Sequence, residues 1–299
     1  MASMRDIKRR KGSIQSTQQI TKAMKLVSTV KLQKAKTKAE QSKPYFDTMY
    51  QTVQSILGMC DNINHPYLDG GSSPKKAVIV ITSNRGLAGG YNSSITKLVT
   101  QGDFSKEDTL IYAVGKKGRD TLARNGYTIA EDYSEVMEEP VYADAIHIGR
   151  QVLTAFEKGE IGEIYLAYTV FKNTVVHIPV MTRLLPVDTE NASSPKAALE
   201  EKSALHGEES KEPEIPMNFE MEEAEALDLL IPKYITSMIY GGLLEASASE
   251  NGARMQAMDS ATSNAEEMIE ELTLLYNQAR QGAITQELTE ISAGANAIN

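Results

Sequence analysis

The chain has 299 residues, 41% hydrophobic and 24% charged, which excludes a disordered polymer and allows one or two ordinary domains. Its longest unbroken apolar run, 77–81, falls far short of the ~20 residues a membrane-spanning helix needs, and the single cysteine, Cys60, excludes an intrachain disulfide and argues against a thiolate zinc site. The formal charge of −9 is laid out unevenly: residues 1–43 carry twelve Lys/Arg against Asp6 and Glu40, a balance of +10, while 220–299 carry fourteen Asp/Glu against Lys233, Arg254 and Arg280, a balance of −11.

Residues 1–58 are dominated by Lys, Gln, Ala, Met and Leu, with one glycine and no proline before Pro44, and predict a long helix that resumes past Pro44 through Tyr45, Met49, Val53, Ile56 and Leu57. Its apolar stripe, read through Ile20, Met24 and Val27, is too narrow for an ordinary core helix. "GMCDNINHPYLDGGSSP" breaks it. From 75 to 187 the pattern alternates: strand "KKAVIVITS", helix "YNSSITKLVTQ", strand "TLIYAVG", helix "KKGRDTLARNG", a weaker strand "YTIAEDYS", helix "VYADAIHIGRQVLTAFEKG", and closing strands "EIYLAYTVF" and "TVVHIPVMTRLLPV". Such alternation predicts a Rossmann-like α/β domain with a largely parallel sheet. Residues 188–216 are acidic and rich in Pro, Ser and Glu, and read as an insert or linker.

Residues 217–299 predict a second long helix, with no proline after Pro232. Helical throughout, the stretch beyond Pro232 would run ~100 Å. Small residues at Gly242, Ala246, Ser249, Ala253, Ser260 and Ala261, with Ile235, Ile239, Met255, Met268, Leu272 and Leu275 nearby, read as a seam for close helix approach. The fold class expected is thus α/β with a long antiparallel coiled coil of the N- and C-terminal helices. Ile284, Leu288, Ile291 and Ile298 would form an apolar tip that suits a partner's sleeve.

Little in the sequence points to chemistry. "SNRGLAGGYN" is a Gly-rich strand–helix turn, but Gly86, Gly89 and Gly90 give G-x-x-G-G rather than the dinucleotide G-x-G-x-x-G, and no P-loop is present. His65, His147, His177 and His206 lack metal-ligand spacing, and Glu222/Glu223, Glu266/Glu267 and Glu270/Glu271 read as a solvated helix face. A basic N-terminal helix without interleaved aromatics is a poor nucleic-acid binder. No catalytic, cofactor or metal residue is assigned. An α/β nucleotide-binding enzyme and a free coiled-coil adaptor stand as alternatives.

Both ends together resemble the gamma subunits of bacterial F-type ATP synthases. "IKRRKGSIQSTQQITKAMKLVSTVKLQKA" is similar to the family's first helix, "SNRGLAGGYN" to its first strand–turn, and "ENGARMQAMDSATSNAEEMI" with "LTLLYNQARQGAITQELTEISAGA" to its last helix. The resemblance implies a non-catalytic rotor shaft, turned by a membrane c-ring and working within three alpha and three beta subunits beside epsilon. It further implies a peripheral place on the cytoplasmic face of a bacterial plasma membrane, no cofactor and no nucleic acid. Met24 and Arg254 match positions facing a moving lever segment of beta, Arg280 and Gln281 a pair that hydrogen-bonds a beta loop, and Thr285 and Glu287 neighbours implicated in coupling. Ala88 stands where many relatives place cysteine, and 188–216 lies where photosynthetic relatives carry a redox segment, here without cysteine. The match to a family N-terminus with no presequence before it suggests a bacterial rather than an organellar source.

Overall fold

The computed structural model describes residues 4–59, 65–187 and 223–298. The acidic stretch 188–216 lies outside them. Helix α1 is Met4–Met59 and contains Pro44, followed by the one-turn α2, Pro66–Asp69. The α/β segment then runs β1 (Lys76–Ile81), α3 (Tyr91–Thr100), β2 (Thr109–Val114), α4 (Lys116–Arg124), β3 (Thr128–Asp132), a 3₁₀ turn (Ser134–Glu138), α5 (Tyr142–Glu157), β4 (Glu163–Phe171) and β5 (His177–Leu185). Helix α6, Glu223–Ile298, closes the chain and contains Pro232. Every strand and long helix expected from hydrophobic periodicity is present; the short α2, within the predicted break, was not expected.

By contacts the chain forms two compact units, Val30–Ala253, and Met1–Thr29 with Arg254–Asn299. In the larger unit the sheet order is β3-β2-β1-β4-β5, parallel except for β5, which pairs antiparallel with β4. The period of two in β1 divides the core. Ala77, Ile79 and Ile81 face a cluster with α5 (Ile148, Val152), the later part of α1 (Val53, Ile56) and α6 (Ile231, Ile235, Ile239). Val78 and Val80 face α3 (Ile95, Val99) and Leu122 of α4. A strand covered on both sides must be apolar at every position, which is why "AVIVI" shows no alternation.

The small residues of α6 do different work from that expected. A β-carbon on Gly242 would meet Leu166 at 3.2 Å and Ile81 at 3.4 Å, so α6 lies directly on the sheet there. Ala246 belongs to the same core, Ser249 Oγ donates to the Thr169 carbonyl at 3.2 Å, and Ala253 packs against the cluster that holds Val78 and Val80. Ile235 and Ile239 are fully buried in that core as well. From Gly242 to Ala253 the stripe is therefore a helix–sheet contact. The physical reason is that small side chains permit close approach to any flat surface, and spacing alone does not say which.

Candidate partner interface

The smaller unit pairs the start of α1 with the end of α6. Gln18 Nε2 donates to Glu266 Oε1 at 2.9 Å, the Thr21 and Thr262 hydroxyls meet at 2.8 Å, and Lys25 Nζ reaches Asp259 Oδ1 at 2.5 Å. As one residue number rises its partner's falls, so the pair is antiparallel, as expected. Seam positions on α1 follow a strict 4–3 rhythm, Met4, Ile7, Lys11, Ile14, Gln18, Thr21, Lys25, Ser28, and each is more enclosed than most of its neighbours. On α6 the matching series is Met258, Thr262, Ala265, Ile269, Leu272 and Tyr276. This is the 3.5-residue repeat of a two-stranded coiled coil.

Its composition is inverted. Thr21 and Ser28 are 8% and 3% exposed and Thr262 9%, whereas Ile20, Leu26 and Val27 of α1 are 57%, 64% and 58% exposed. The narrow apolar stripe through Ile20 and Val27 lies outside the seam, and Met24 is only half-buried. On α6, Ser260, Met268 and Leu275 likewise lie on the exposed side while Leu272 is buried. A buried hydroxyl needs a partner, and here two share three bonds. Thr21 also reaches the Gln18 carbonyl at 3.0 Å and Thr262 the Met258 carbonyl at 2.7 Å. Two protons cannot fill three bonds at once, so one of the three contacts is always without its proton.

Met24 and Arg254 fall in this unit, both half-buried, on opposite helices. In the register set by Thr21 and Thr262, Met24 is level with Asp259, about 8 Å along the helix from the level of Arg254. Arg280, Gln281, Thr285 and Glu287 lie on a stretch of α6 where every residue from Arg280 to Gly294 is exposed. No ion pair joins Arg280 to Glu287 among the described residues. Ile284, Leu288 and Ile291 are 50%, 62% and 64% exposed, and the apolar tip stands bare.

The α/β domain does not supply a nucleotide site in the expected place. Ligands in such sheets bind where strand order reverses, here beyond the carboxyl ends of β1 and β4. That position is filled by α6. Tyr91 Oη donates to the Ala246 carbonyl at 3.2 Å, and a β-carbon on Gly252 would lie 2.7 Å from His177. The Gly-rich turn itself is stapled: Asn92 Oδ1 accepts from the Ser83 backbone at 2.9 Å, and Asn84 accepts from the Lys116 backbone at 3.0 Å while donating to the Ser134 carbonyl at 2.7 Å. Leu87 stands at φ +64° and is 64% exposed. Among the described residues no cluster of His, Cys, Asp or Glu has metal-binding geometry, and no helix is long and apolar enough to cross a membrane.

A family model described as ATP synthase matches residues 3–298. The chain is 67% identical over its full length to the full-length ATP synthase gamma chain of Lachnoclostridium phytofermentans. It is 40% identical, over 99% of both chains, to a gamma chain of Acetobacterium woodii described as sodium ion specific. Among solved structures, a chain of the Euglena gracilis mitochondrial ATP synthase shares the fold with a TM-score of 0.67 at 18% identity, over 99% of this chain and 94% of that one.

Proposed function

The chain belongs to the ATP synthase gamma family, and from that membership we infer that it is the central shaft of an F-type ATP synthase. The observation that carries this reading is the inverted coiled coil. Its seam is polar and small, while Ile20, Leu26, Val27, Leu274, Leu288 and Ile291 lie exposed. A shaft needs only enough adhesion to hold two helices together, and its remaining apolar surface is available to what surrounds it. On this reading the surround is a ring of three alpha and three beta subunits. Epsilon and the membrane c-ring contact the chain elsewhere, at the cytoplasmic face of a bacterial plasma membrane.

The chain would not catalyse; the nucleotide sites belong to its partners. Ion flow turns the c-ring and the shaft, and the shaft presents a different face to each beta subunit in turn. Only unequal contact can bias three otherwise equal sites toward different affinities. Two helices of opposite charge, balanced at +10 and −11 over 1–43 and 220–299, make such a surface. Met24 and Arg254 would bear on the beta lever segment, Arg280 and Gln281 would hydrogen-bond a beta loop, and Thr285 and Glu287 would complete that contact. A guanidinium fork suits a carboxylate on a partner.

Native mass spectrometry of the tagged chain, released gently from its own membranes, tests the reading. One copy with three alpha and three beta subunits is the expected result. Recovery as a free monomer or homodimer at every ionic strength would sink it.

A further inference from the structure

A cavity of about 310 Å³ lies within the larger unit, between the stretch of α1 after Lys36, the stretch of α6 before Ala248, and the end of β4. That volume is in the range of small-molecule sites. Its walls are aromatic: Phe46, Tyr50, Tyr168, Phe171 and Tyr234. Gly241 opens the space on the α6 side, where a β-carbon would sit 3.6 Å from the Phe46 ring.

The charges around the cavity are committed or solvated. Lys36 pairs with Glu40 at 3.6 Å, and Asp47 and Lys172 are exposed to solvent. Lys43, Tyr50 and Glu245 have partners of their own. An ionic ligand would have to displace one of these partners, so the chemistry that suits the interior is neutral.

Tyr168 stands apart from them. It is 2% exposed, and its phenol makes no hydrogen bond among the described residues. The groups that act electrostatically on that phenol are Glu245 and Tyr234, both in the same lining, which puts the hydroxyl at the cavity. The other end of the ring is pinned: a β-carbon on Gly242 would lie 3.5 Å from Tyr168 Cγ. Burial, with Glu245 adding to it, holds the phenol well above its ordinary range, so it keeps its proton and remains a donor. A buried hydroxyl without a partner calls for one.

We propose that this cavity binds a small neutral molecule with an apolar body and one carbonyl, whose oxygen accepts from the Tyr168 hydroxyl. The body lies against Phe46, Met49 and Met238, which line the same space. A ligand there touches both long helices and β4 at once, and its binding stabilises their packing.

The test uses the full chain labelled with ¹³C at its methionine methyls, with Met49 and Met238 assigned through Met49→Leu and Met238→Leu. Acetophenone is the probe, and ethylbenzene, of similar shape without the oxygen, is the comparator. Saturable shifts at both methyls are expected with acetophenone. Tyr168→Phe should weaken acetophenone about fivefold and leave ethylbenzene within about twofold. That variant loses only a hydroxyl with no protein partner, and should fold. Independently of it, the carbonyl carbon of bound ¹³C-acetophenone should resonate downfield of its position in hydrocarbon solvent, the mark of an accepted hydrogen bond. A cavity that takes up water alone gives no saturation at the two methyls, which overturns the proposal. So does an equal response of the two ligands to Tyr168→Phe, or a bound carbonyl at its hydrocarbon-solvent position.

Discussion

Gly115 stands at φ +110°, and a β-carbon there would lie 2.0 Å from the Thr82 carbonyl oxygen. Neighbouring Gly118 is hemmed by the Thr82 side chain, whose hydroxyl accepts from the Gly118 backbone at 2.9 Å. The first turn of α4 is thus docked onto the end of β1, and Gly115→Ala should cost about 3 kcal/mol or more. A urea midpoint unchanged by that substitution would contradict it. His177 gives a pH dependence. Burial lowers its imidazole below the ordinary value, and neither ring nitrogen has a hydrogen-bond partner among the described residues. The unfolded chain takes up its proton near pH 6.5, the folded chain only at lower pH. Stability is therefore full above about pH 6.5 and falls as pH drops toward the folded value. His177→Phe should lose less stability than the parent between pH 7.5 and 5.5, and parallel losses would remove His177 as the cause.

At the scale of elements, the two long helices hold each other through side chains a hydropathy reading overlooks. Thr21→Val or Thr262→Val alone leaves one buried hydroxyl without its cross-helix partner and should cost about 1–2 kcal/mol, while the double substitution should recover most of that. Amide exchange along α1 measures it, and additive losses would mean that the 2.8 Å contact carries no coupling. Ile20 and Val27 lie outward although apolar residues avoid water; that rule assumes water is the alternative, and on the rotor reading it is another subunit. A 4–3 count run regardless of polarity through Gln18, Thr21, Lys25 and Ser28 would have found the seam.

For the whole molecule, the predictions concern the assembled complex. Arg280→Ala should lower ion-driven ATP synthesis about tenfold, equivalent to about 1.4 kcal/mol, while leaving the chain's own folding unchanged because Arg280 is exposed. Arg280→Lys should restore little, since an ammonium lacks the fork. Full synthesis in Arg280→Ala would release that residue from the interface. Replacing Ile284, Leu288 and Ile291 with serine should weaken assembly with alpha and beta, read by native mass spectrometry, without lowering the stability of the larger unit.

Sequence by itself determined the elements and their order, because period and composition are local properties: "AVIVI" can only be a doubly covered strand, and a proline-free stretch after Pro232 favours a long helix. It also determined the family, through residue-by-residue likeness at both ends. Tertiary structure decided what each small residue touches. Gly242, Ala246 and Ser249 went to the sheet and Thr21 and Thr262 to each other, since close approach depends on which surface arrives. It also decided that α6 closes the crevice beyond β1 and β4, and that five aromatic rings and Glu245 share one cavity. Those residues are up to about 200 positions apart in the chain, and only packing brings them together.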